Sequence, residues 1–201
     1  MRICIFSIIC SLFLLACEGS KNFSPKPRAF PRVVYPEKTY TSFDQDYCNF
    51  TFLVPSYAEI QQDTLFFEEK PAHPCWFDIY FPQFNSRIHC SYYPVGEEKS
   101  FSQLKTDAFE LVDWHNKRAN YIEERRIQKP EEEVYGFAFQ IEGPAASPFQ
   151  FYLTDSSRHF LRGALYFNTQ VRPDSLAPVK AFIMKDIERM IETFTWTDSQ
   201  G

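Results

Sequence analysis

The sequence is short of glycine and of the motifs that need it. Its 201 residues include 6 Gly against 14 Pro, too few for the glycine-rich loops that cradle phosphate groups. It has no basic run, and its net charge is -5, which argues against nucleic acid as a partner. Its 4 His and 6 Cys show neither a CxxC nor an HExxH spacing. The sequence therefore predicts no metal site and no cofactor.

The N-terminal apolar run is too short to cross a membrane. Residues 3–16 carry no charge and follow Arg2, whereas a spanning helix needs roughly 20 apolar residues. The run is typical of a secretory signal and ends in Leu14-Leu15-Ala16-Cys17, which resembles the bacterial lipobox. We expect residues 1–16 to be a lipoprotein signal peptide and Cys17 to carry the lipid; the alternative is an ordinary signal peptide with a chance cysteine.

The residues after Cys17 predict a tether and then one domain. Residues 18–32 contain three prolines and four basic residues, a composition typical of an extended spacer. We therefore assign residues 17–32 to the lipidated cysteine and tether, and residues 33–201 to a single domain. Residue 18 is Glu, not the Asp that retains lipoproteins at the inner membrane in the best-known sorting rule. This favours the periplasm-facing side of the outer membrane over the inner membrane.

Three cysteines remain in the predicted mature domain, and they allow three single bridges. An exported protein lies in an oxidising compartment. Cys48 follows a turn-like stretch and Cys75 follows Pro74, which favours a bridge between Cys48 and Cys75. Cys90 lies within an alternating strand pattern, so we expect a buried free thiol there.

The order of predicted elements indicates an α+β fold. Strands are predicted near residues 50–54, 60–67, 76–81 and 87–93, then a helix from Phe101, three further strands over residues 121–128, 134–141 and 149–153, a strand over 159–168 that Gly163 weakens, and a helix from Pro173. Because the central connections are short, we predict a mainly antiparallel β-sheet with two principal helices packed on it. On the last helix, Asp186 is expected to face water with the other charged residues. The element order is similar to the Mog1/PsbP-like fold.

One turn gathers residue types that hydrolases use. Ser156, Ser157 and His159 follow Asp155, but catalytic triads draw their members from separate elements, and neither serine sits in a GxSxG motif. Turn formation is the simpler interpretation. The alternative is an envelope hydrolase using Ser157 or Ser156 with His159.

Positive charge also accompanies aromatic residues in this part of the chain. Arg158, His159 and Arg162 lie among phenylalanines and tyrosines, a combination typical of binding surfaces. We take them as candidate partner-binding residues; the alternative is a buried aromatic core with solvated arginines at its rim.

The stretch from Ala146 to Asn168 resembles the signature of the gliding motility-associated lipoprotein GldD family. Further agreement is found in the lipobox, in Pro25-Lys26-Pro27-Arg28, in Cys48 with Cys75-Trp76, and in Asp174-Ser175-Leu176-Ala177-Pro178. The resemblance implies a non-enzymatic envelope lipoprotein required for gliding motility and the associated type IX protein secretion machinery. It implies a membrane contact through the lipid, protein partners in that apparatus, and no catalytic residues. A third class, a small-ligand-binding lipoprotein with a pocket between sheet and helix, stays open.

Overall fold

A computed structural model of the chain describes residues 32–63, 71–169 and 172–197. From Arg32 onward the chain forms one compact unit. Among the residues that are described, no helix combines the length and the apolar character needed to cross a bilayer.

Strands predominate in the part of the chain that the structure describes. The strands are β1 (Tyr40–Phe43), β2 (Phe50–Pro55), β3 (Glu59–Gln62), β4 (Trp76–Phe81), β5 (Ser86–Pro94), β6 (Tyr121–Lys129), β7 (Val134–Glu142), β8 (Phe149–Thr154), β9 (His159–Phe167) and β10 (Thr195–Trp196). The α-helices are α1 (Phe101–Asp113) and α2 (Pro173–Thr193). The predicted strand over residues 60–67 extends beyond β3 to residues 64–67, which lie outside the described residues.

The main sheet has seven strands in the order β3-β4-β5-β9-β8-β7-β6, and every neighbouring pair is antiparallel. Short turns join β6 through β9, and β9 then pairs with β5 rather than continuing outward. A second, small sheet has the order β1-β2-β10. The predicted α+β fold with an antiparallel sheet and two helices is confirmed.

The two helices cover opposite faces of the main sheet. Neighbouring residues of a strand point to opposite faces. Phe151 and Leu153 of β8 belong to the core that contains Ile183 and Ile187 of α2, whereas Tyr152 between them packs in a second core under α1.

Strand β7 shows the consequence of covering both faces. Its aromatic face, with Phe139 and Ile141, packs in the core under α1, as predicted. Its other face is also buried, since Val134 and Ala138 pack in the core under α2. Strand β7 therefore buries both of its faces, although an alternating pattern is typical of a strand with one face exposed to solvent.

Helix α1 begins at a capping box. The Ser100 hydroxyl accepts a hydrogen bond from the Gln103 backbone N–H, and the Gln103 side chain accepts one from the Ser100 backbone N–H. These contacts satisfy two backbone donors that the first helical turn leaves unpaired. The cap fixes where the helix begins.

Candidate functional site

The Asp155 turn between β8 and β9 is held by its own carboxylate. Asp155 Oδ1 accepts hydrogen bonds from the backbone N–H groups of Ser157, Arg158 and His159 at 3.0, 2.8 and 2.9 Å. Burial raises the pKa of Asp155, but these donors outweigh it, and the pKa lies below its ordinary value. The Ser157 hydroxyl donates to Asp155 Oδ2. This geometry agrees with the turn interpretation.

The His159 ring lies away from the two serines. It is buried, with Nδ1 2.5 Å from the Tyr92 hydroxyl. Tyr92 belongs to the core under α2. Ser156 and Ser157 remain in the exposed turn. The residues of the hydrolase alternative are therefore neighbours in sequence but do not form a serine–histidine pair.

The three predicted partner-binding residues do not share a surface. Arg158 is exposed and ion-paired with Asp155 at 3.4 Å. His159 is buried on the α2 face, and Arg162 points to the opposite face, where its guanidinium donates to Gln150 Oε1 at 2.6 Å. Strand alternation separates residues 159 and 162. Contrary to the expectation from sequence, Arg158, His159 and Arg162 therefore do not form one joint surface.

The cysteines differ in their environments. Cys48 and Cys75 are joined by a disulfide. Cys90 is a buried free thiol, and burial, followed by the nearby Asp78 carboxylate, raises its pKa well above the ordinary value. The thiol therefore stays protonated and unreactive at neutral pH. Cys17, the predicted lipidation site, lies outside the described residues.

A groove of about 470 Å³ runs along one flank of α2. Its apolar lining includes Ala145, Ala146 and Pro148 from the loop after β7, and Leu176, Ala177, Ala181 and Met184 from the helix. The Lys180 ammonium meets Glu142 Oε1 at 2.8 Å at the rim, and it lowers the pKa of that carboxyl. Volume and lining fall in the range of small-molecule sites.

The other flank of α2 carries a buried charge that sequence reasoning missed. Asp186 is 1% exposed and does not face water as expected. It accepts from Lys38 Nζ at 2.6 Å and from the hydroxyls of Tyr57 and Tyr40 at 2.6 and 2.9 Å. We call these four residues the Asp186 cluster. No local pattern could reveal it, because three members lie about 130 to 150 residues from Asp186 in the chain.

A second polar cluster lies on the α1 face of the sheet near the β3 edge. Asp78 Oδ2 accepts from Arg87 at 2.6 Å, and Asp78 Oδ1 lies 2.9 Å from His89 Nδ1. Asp63 Oδ2 lies 3.4 Å from the same ring nitrogen. We call Asp63, Asp78 and His89 the Asp78 cluster.

Comparison with known protein families shows to which family this chain belongs. The model of the gliding motility lipoprotein GldD family matches residues 20–196. The chain belongs to this family. Membership in the GldD family supports a role in gliding motility, a membrane-anchored location in the cell envelope, and protein partners. A search among curated proteins finds no match.

Two solved structures are similar to this chain in fold. The chain is similar to cyanobacterial PsbP (CyanoP) from Synechocystis sp. PCC 6803, with 8% identity and a TM-score of 0.46 over 86% of this chain and 99% of that one. It is similar to the Saccharomyces cerevisiae Ran-binding protein Mog1p, with 10% identity and a TM-score of 0.47 over 81% of this chain and 98% of that one. At these values the likenesses say nothing about what a GldD-family protein binds.

The groove along α2 is lined by two parts of the chain that lie within the residues matched by the GldD family. Ala145, Ala146 and Pro148 come from the loop after β7, and Leu176 and Ala177 come from α2. Its volume and its apolar lining make the groove the best candidate contact site among the features described above.

Proposed function

We propose that the protein is a lipid-anchored accessory component of the gliding apparatus and of the associated type IX secretion machinery, acting through protein contacts and not as an enzyme. The observation that carries this proposal is the family match over residues 20–196. The proposed parts are a lipid on Cys17, a tether to residue 32 and one folded domain.

Anchoring supplies the physical advantage in this proposal. Diacylation of Cys17 holds the domain at the membrane, because each buried methylene contributes about 0.8 kcal/mol. Confinement to the same surface raises the effective concentration of the domain for other membrane-bound components. Glu18 favours the outer membrane, with the domain facing the periplasm.

The geometry of the Asp155 turn supports a non-enzymatic role. Ser156 and Ser157, the serines of the hydrolase alternative, lie in an exposed turn, where the Ser157 hydroxyl donates a hydrogen bond to Asp155. His159 is instead buried against Tyr92. Nucleophilic catalysis needs a hydroxyl within hydrogen-bond reach of its base. Alanine at Ser156 and Ser157 is expected to leave gliding unchanged.

Deletion of the gene in its own host tests the proposal. Deletion is expected to abolish surface spreading and the export of type IX cargo, and the wild-type gene should restore both. A Cys17→Ala gene should restore neither, and its product should leave the membrane fraction. A deletion strain that spreads and secretes normally would refute the proposed role.

A small-ligand-binding lipoprotein is the second candidate, and the groove favours it. Ala177 and Ala181 are exposed at its wall, so Ala177→Trp or Ala181→Trp fills it without disturbing the core. Loss of function in these strains, with normal protein level, would assign the groove a role. Thr106→Trp on exposed α1 is the matched control. Lipid extracts of the purified protein then distinguish a small ligand from a protein contact.

A further inference from the structure

The Asp78 cluster is assembled by strand register. Asp78 of β4 lies directly opposite His89 of β5, and Gln61 of β3 lies opposite Asp78. Asp63 is two residues beyond Gln61, so it shares the same face and approaches Asp78 diagonally. Its backbone N–H donates to the Trp76 carbonyl at 2.8 Å, which continues the β3–β4 pairing up to this residue.

The three ligand-type atoms are spaced as a metal ion requires. One carboxylate oxygen from each Asp and a ring nitrogen of His89 all lie within 4.8 Å of one another. The Nδ1 atom is 2.9 Å from Asp78 Oδ1 and 3.4 Å from Asp63 Oδ2. Tetrahedral zinc with bonds of about 2.0–2.1 Å separates neighbouring ligand atoms by roughly 3.3–3.4 Å. The two distances from the His89 Nδ1 atom thus lie within about 0.5 Å of this spacing.

The surroundings complete a site rather than block it. Arg87 binds Asp78 Oδ2, at 2.6 Å. Ligating carboxylates are commonly held by such an outer hydrogen bond. Asp78 Oδ1 lies 2.9 Å from His89 Nδ1, and an ion would take the place of that hydrogen bond between the two atoms. Asp78 is buried, while the side chains of Asp63 and His89 are 24% and 19% exposed. Water can therefore reach the position of a fourth ligand.

The two carboxylates of the cluster lie close to each other, and the Arg87 guanidinium binds one of them. A divalent ion bound between the carboxylates would offset their mutual repulsion.

We propose that Asp63, Asp78 and His89 bind one Zn²⁺ ion, with water as the fourth ligand. One imidazole with two carboxylates is a donor set that suits zinc. The ion joins β3, an edge strand, to β4 and β5. This site is independent of the proposed role in gliding and of the α2 groove.

Zinc titration of the purified, detergent-solubilised protein tests the site. After treatment with EDTA and removal of the chelator, calorimetry at pH 7.5 is expected to show one equivalent of Zn²⁺ bound. Asp63→Asn and His89→Gln should each abolish that binding. These two variants carry the test, because the buried Asp78 also holds Arg87 and its substitution risks the fold.

His115→Gln is the matched control, since His115 lies after α1 and outside the cluster. It should bind zinc like the wild type. Zinc should also raise the unfolding temperature of the wild type and of His115→Gln, but not of His89→Gln. Absence of zinc binding, or binding that survives both cluster variants, overturns the proposal.

Discussion

Asp186 is a charged residue whose role depends wholly on its neighbours. It lies on α2, where lysines and glutamates face water, yet it is buried against Lys38, Tyr40 and Tyr57. Lys38 also donates to the Phe182 carbonyl at 3.1 Å and lies 3.6 Å from the Phe182 ring centroid. These contacts attach Lys38 and Tyr40, which lie shortly after the predicted tether, to helix α2.

Removal of the cation from the Asp186 cluster should destabilise the domain. Lys38→Met leaves the buried Asp186 carboxylate without its counter-charge, and we expect the free energy of unfolding to fall by about 3 kcal/mol. Urea denaturation measures this loss. Lys105→Met, at an exposed position of α1, is the control and should change stability by less than about 0.5 kcal/mol. Equal effects of the two substitutions would contradict the importance of the pair.

The same cluster predicts a loss of stability in alkali. Burial, and then the hydrogen bond to Asp186, raise the pKa of Tyr40 to about 12, whereas a tyrosine in an unfolded chain has a pKa of about 10. The unfolded state therefore releases its proton first, and stability declines as pH rises from about 10 to about 12. Denaturation across this range should show a shallower decline for Tyr40→Phe than for the wild type. Parallel curves would exclude a contribution from Tyr40.

At the scale of elements, β9 shows how a strand accommodates a glycine. The sequence predicts that Gly163 weakens or kinks the strand, but β9 runs unbroken from His159 to Phe167. Gly163 lies opposite Phe151 of β8, and the Phe151 ring packs over it. A Cβ at position 163 would lie 2.2 Å from that ring. The absence of a side chain at Gly163 therefore leaves room for the Phe151 ring.

A methyl group at position 163 should therefore overpack the core. Gly163→Ala is expected to lower the free energy of unfolding by about 1–3 kcal/mol, because the buried ring must move. Phe151→Leu removes most of the clash, so Gly163→Ala should cost clearly less in that background. The four proteins of this cycle are compared by urea denaturation. Additive losses would show that the two residues do not interact.

At the scale of the whole molecule, the disulfide ties distant parts of the chain. Cys48 precedes β2 of the small sheet, and Cys75 precedes β4 of the main sheet. The bond closes a loop with a sequence separation of 27. It therefore links the two sheets beside the segment that contains Asp63.

Loss of this bond should destabilise the domain without changing its fold. The double change Cys48→Ser with Cys75→Ser is expected to lower the free energy of unfolding by about 3.5 kcal/mol, from the loop closure that the bond supplies in the unfolded chain. Chemical denaturation of the oxidised wild type and the variant measures the difference. Cys90→Ser should not alter the effect of dithiothreitol, since Cys90 forms no bond.

Local patterns determined much of this protein. Alternation and helical periodicity located β4, α1, β7 and β8 to within a few residues, because each element buries a stripe that the sequence displays. The short connections between β6 and β9 required antiparallel pairing. The turn character of Asp155 followed from its side chain alone, since its hydrogen bonds are to the next few residues.

Only the tertiary structure decided which polar residues meet. The separation of His159 from Arg162, the burial of Asp186 and the convergence of Asp63, Asp78 and His89 depend on pairing between strands and on helix placement. Those pairings bring together residues far apart in the chain, and a linear pattern records no distance between them. The sequence by itself thus determined both helices, most strands of the main sheet, their antiparallel pairing and the family. Packing decided the small sheet, the environment of each charge and the groove beside α2.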